Sequence, residues 1–185
     1  ALRMALESKE LSLKVGDSRE QGWANFHLGT IQFHRGEWDT ARALLTEASE
    51  QLRAAQDFVG FAYSFGTLFM MHIEAHEVTA ARASARTLIE ATERHMLWSE
   101  DPSWAWSCLL LAEAEGRYET ANRVSGAILK LEREGKVWHR MYRARFLPVM
   151  QRARDQVGET EAERLQAEGA GMSRAELIEE ALSGG

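Results

Sequence analysis

Gly36-Glu37-Trp38-Asp39-Thr40-Ala41 decides the fold, because it returns eighty residues later as Gly116-Arg117-Tyr118-Glu119-Thr120-Ala121. In each phrase a glycine tolerant of positive φ ends one helix, an aromatic opens the next, and an alanine follows where two helix axes can approach closely. Halfway between lies His76-Glu77-Val78-Thr79-Ala80-Ala81, a degenerate copy with His76 at the glycine position, so a distorted turn is expected there. The alanines Ala1, Ala41, Ala81 and Ala121 therefore stand forty residues apart, and internal periods of this length mean an array of like helical units.

Other positions keep the same step. Leu28, Leu68 and Cys108 precede the turns, and Asp17 and Asp57 sit where each would cap the helix that follows. Behind the turn alanines, Leu45, Ala48 and Leu52 continue an apolar stripe at spacings of three and four, answered by Ala85 and Leu88 and by Ser125 and Ile128. Helices are expected over 1–15, 18–35, 38–55, 58–75, 78–96, 103–115, 118–135 and 138–156, then over 159–168 and 174–182.

Leu28, Gly29, Gly36, Trp38 and Ala41 together resemble the tetratricopeptide repeat, although a forty-residue step exceeds the usual ~34 of that repeat and implies longer helices. The fold implied is all-α, a right-handed superhelix of antiparallel helix pairs. The divisions implied are 1–17 as the second helix of a truncated repeat, 18–57, 58–97 and 98–137 as complete repeats, 138–157 as the first helix of a last repeat, and 158–185 as capping helices. Leu2, Ala5, Leu6 and Leu11 are expected to be partly bare on that first helix.

A second likeness covers the C-terminal segment. Gly158-Glu159-Thr160-Glu161-Ala162 and Glu168-Gly169-Ala170-Gly171-Met172-Ser173-Arg174-Ala175-Glu176 resemble the end of the MalT-like helical region in bacterial LuxR-type and related signal-transduction ATPase regulators. The Phe and Trp of that pattern are replaced by residues near Ala162 and Gln166. Ser173 with Glu176 also reads as an ordinary capping box before Leu177, Ile178 and Ala181.

Carried across position by position, the tetratricopeptide resemblance implies an inner, ligand-facing set. It consists of Trp23, Phe26, Thr30, Phe33 and His34, then Tyr63, Gly66, Met70, Ile73 and Glu74, then Ser103, Trp106, Leu110, Glu113 and Ala114. Most are large and apolar, as in an exposed surface that binds a partner, although long helices can equally bury such a face against one another. The expected function is non-catalytic: an interaction or ligand-sensing segment of a larger bacterial regulator. The alternatives are a stand-alone adaptor that grips a peptide or amphipathic helix, and a homo-oligomerisation module, the homodimer being its simplest form. The expected partner is a protein, a peptide or an apolar small molecule, besides other domains of a parent chain.

Composition sets the exclusions. With only 2 Pro and 14 Gly in 185 residues, long helices are permitted, and one cysteine rules out an intramolecular disulfide. Cys108 lies on an apolar helix and reads as a buried thiol. No apolar run reaches the ~18 residues of a membrane span and no secretory signal is visible, so no membrane association and a cytoplasmic location are expected. His72 and His76, four apart, could share a helix face with a metal, but His76 sits at the turn, so no metal site is expected. Lys130 to Arg154 holds eight Lys/Arg against two Glu, with Trp138, Tyr142 and Phe146 among them, whereas residues 156–185 hold seven Glu against two Arg. That basic helix is expected to face its acidic neighbour, and with a net charge of −6 nucleic acid is disfavoured. No phosphate loop, nucleophile elbow or catalytic dyad is present, so neither catalytic residues nor cofactors are expected.

Overall fold

A computed structural model describes residues 2–95, 103–135 and 140–183, apart from the side chains of 103 and 140–145. Those residues are all-α, with no strand among them: α1 (Leu2–Val15), α2 (Ser18–His34), α3 (Trp38–Ala54), α4 (Phe58–Glu74), α5 (Val78–Arg94), α6 (Ser103–Ala114), α7 (Tyr118–Arg133), α8 (Arg140–Val157), α9 (Glu159–Gly171) and α10 (Arg174–Ser183). None of these helices is long and apolar enough to cross a membrane.

The caps follow from local chemistry. Asp17 accepts from the N–H groups of Arg19 and Glu20 at the start of α2, and Asp57 accepts from the Gly60 N–H at the start of α4. Such caps satisfy donors that a helix end leaves without partners. Each of three turns closes with the same pair of bonds. Gly36, His76 and Gly116 donate to the carbonyls of Phe33, Ile73 and Glu113, and Glu37, Glu77 and Arg117 donate to those of Gln32, His72 and Ala112. The residues entering α3, α5 and α7 share φ −85° with ψ 66°, 66° and 65°.

The middle turn is thus not distorted, contrary to the expectation raised by its missing glycine. His76 adopts φ 58° in the left-handed region, beside 79° at Gly36 and 70° at Gly116. Its strain, about 1 kcal/mol for a residue with a Cβ, is outweighed by the two turn bonds. Glu77 takes a bidentate pair from Arg42 at 3.0 Å for each bond and lies 2.6 Å from His72 Nδ1.

The chain forms two compact units, Ala1–Leu97 and Trp98–Gly185. In the first, each helix packs on the one before it, and α2 also meets α4. Leu45 and Leu52, both fully buried, fill the space left by Gly29 and Gly22, where a Cβ would come within 2.7 Å of the leucine Cγ. Burial of each such leucine contributes ~2–3 kcal/mol. Around them Phe33, Ala41, Leu68 and Met71 form one cluster, and Ala48, Leu52 and Phe61 form another.

In the second unit α7 is the hub, touching α6, α8, α9 and α10. Its crossing with α9 is backbone on backbone: a Cβ at Gly126 would lie 1.9 Å from the Gln166 carbonyl oxygen, and one at Gly169 would lie 1.9 Å from that of Arg123. Asn122, fully buried beside the crossing, donates to the Ala153 carbonyl at 2.9 Å. The α6 helix is enclosed by these neighbours, and Trp104 to Ala112 are all buried, Cys108 included.

Candidate functional site

The sequence-derived inner set divides on burial. On α2, Trp23 and Phe26 are half-buried, one turn apart, and both rings reach Tyr63 on α4, with centroids at 6.2 and 6.0 Å. Trp23 meets Phe26 edge-on at 5.7 Å and 84°, and the His27 ring lies 5.9 Å from Trp23 and 5.2 Å from Phe26. Tyr63 is 44% exposed and Val59, one turn before it, 39%. These side chains form one continuous apolar patch carried by two neighbouring helices.

The patch has a polar anchor at its edge. Asp57 Oδ2 accepts from Trp23 Nε1 at 2.9 Å and from Arg19 Nε at 2.7 Å, while its Oδ1 caps α4. Burial pushes the Asp57 carboxyl up, but the Gly60 N–H, Arg19 and Trp23 together outweigh it and hold the group below the usual carboxylate range. The Trp23 ring is therefore fixed by a charge-assisted hydrogen bond and spends its edge donor inside the protein. Trp23 and Phe26 also pack on the core cluster of Ala48, Leu52 and Phe61, so they are only partly exposed beside the more open Tyr63. A shallow cavity of about 450 Å³ adjoins Asp57, lined by Arg19, Phe58, Val59 and His95 among others. The His95 ring stacks on Phe58 at 3.4 Å and 9°.

Farther along the same helices the inner set merges into the core. Phe33 is 7% exposed because it turns edge-on into Trp38, at 5.4 Å and 84°, and joins Leu45, Leu68 and Met71. Thr30, Met70 and Ile73 are half-buried, while His34 and Glu74 are exposed at the ends of α2 and α4. These continue the strip with less apolar surface.

Trp106 and Leu110 do not line an open surface, which corrects the expectation from the repeat pattern. They are 8% and 5% exposed. Trp106 stacks on Phe146 of α8 at 3.9 Å and 16°, and Glu113 on the same helix pairs with Arg152 at 2.7 Å. Both hydrophobic side chains are core. Ser103, Trp138 and Tyr142 fall outside the described side chains.

Three contacts escaped the sequence reading. Arg42, His72 and Glu77 form a polar cluster, with Arg42 Nη1 3.3 Å from His72 Nδ1 and Glu77 held below its ordinary range, first by Arg42 and then by His72. His72 is thus engaged by its neighbours' charges, and among the described residues no group of three or more His, Cys, Asp or Glu is placed to hold a metal ion. His27 and Val59 extend the aromatic patch. The spacing of four from Trp23 to His27, and from Val59 to Tyr63, was the signal that could have found them.

The basic stretch meets acidic and carbonyl partners wherever its side chains are described, apart from the exposed Arg133. Arg154 pairs with Glu159 and Glu163, Arg152 with Glu113, and Lys130 donates to the Ala170 carbonyl at 2.9 Å. On α7, Arg123 lies among Glu119, Glu168 and Glu180, and Arg117 donates to the Glu180 and Ala181 carbonyls at the end of α10. Each of these guanidinium and ammonium groups also complements the negative end of a helix or a local carboxylate.

Comparison of the chain with models of protein families, with curated proteins and with solved structures finds no match, so the reading of this patch stands on its geometry.

Proposed function

We propose that the protein is a non-catalytic interaction module, a right-handed superhelix of antiparallel, tetratricopeptide-like helix pairs, that binds a peptide or amphipathic helix on the aromatic face of α2 and α4. The observation that carries the reading is the Trp23–Phe26–Tyr63 patch, because aromatic faces held rigidly beside solvent give contact area at little cost in side-chain entropy. The repeat reading is supported by three turns of equal dihedral angles forty residues apart. It is supported too by the pairing of Gly22 with Leu52 and Gly29 with Leu45, as in helices that run opposite ways.

Within a larger regulatory protein, the role suggested by resemblance, occupation of the patch would act by favouring one arrangement of the parent over another. That requires different affinities for the two arrangements.

The test is selection of a displayed library of short random peptides on the protein, followed by titration of the enriched peptides. Enrichment of peptides with spaced apolar residues is expected, with Phe26→Ala and Tyr63→Ala each weakening them by about tenfold, ~1.4 kcal/mol. Equal binding by both variants would place the site elsewhere.

A further inference from the structure

We draw no further inference here: the strongest candidate, the exposed apolar face of α1 formed by Met4, Leu11 and Val15, carries none because nothing in the structure shows what covers it.

Discussion

At the scale of single residues, the turn at His76 is where the sequence misleads and the backbone does not. A non-glycine residue at φ 58° is held there by the same hydrogen bonds that glycine serves at Gly36 and Gly116. His76→Gly should therefore stabilise the protein by about 1 kcal/mol in urea denaturation, and His76→Val should destabilise it. Asp57 carries a prediction in pH. Its value when folded lies below that when unfolded, so its contribution is full above about pH 4 and is lost as the pH falls through the folded value. Unfolding midpoints followed from about pH 6 to about pH 2 should fall less steeply in Asp57→Asn than in the native protein. Asn caps a helix as well as Asp does, so what the substitution loses at neutral pH is the charge that Asp57 brings to its bonds with Arg19 and Trp23. Asp57 was legible as a cap from its distance to Asp17; its bond to Trp23, thirty-four residues back, was not.

At the scale of helices, boundaries were legible because glycine, aspartate and aromatic punctuation is local. The expected spans over 38–55 and 118–135 differ from α3 and α7 by one and two residues at one end. Burial was less so, because it depends on what arrives from far along the chain. Trp106 and Leu110 stand eighty residues after Phe26 and Thr30, yet α6 is enclosed by α7, α8 and α10 and the corresponding face of α2 is not. Trp106 and Tyr63 should respond differently to loss. Trp106→Ala removes a stacked core ring and should cost ~3–5 kcal/mol by urea denaturation, whereas Tyr63→Ala should stay within ~1 kcal/mol of the native protein and lose peptide binding. Gly126→Ala tests the α7–α9 crossing. The added methyl would sit 1.9 Å from a carbonyl oxygen, so α9 must move, and a loss of ~3 kcal/mol with faster amide exchange in 159–171 is expected.

At the scale of the whole molecule, chemistry is divided between buried order and exposed faces. Much of the charge is spent internally, as with Arg117, Arg123 and Lys130 on the ends and carboxylates of α9 and α10. Among the described residues, the exposed large apolar side chains gather on α1 and at Val59 and Tyr63 of α4. The most direct measurement is hydrogen–deuterium exchange of the full chain with and without a selected peptide. Protection concentrated in 19–34 and 58–74, and absent in Tyr63→Ala, is the expected result. Protection confined to α1, to α6 or to the C-terminal helices would contradict the assignment of the aromatic patch as the binding surface.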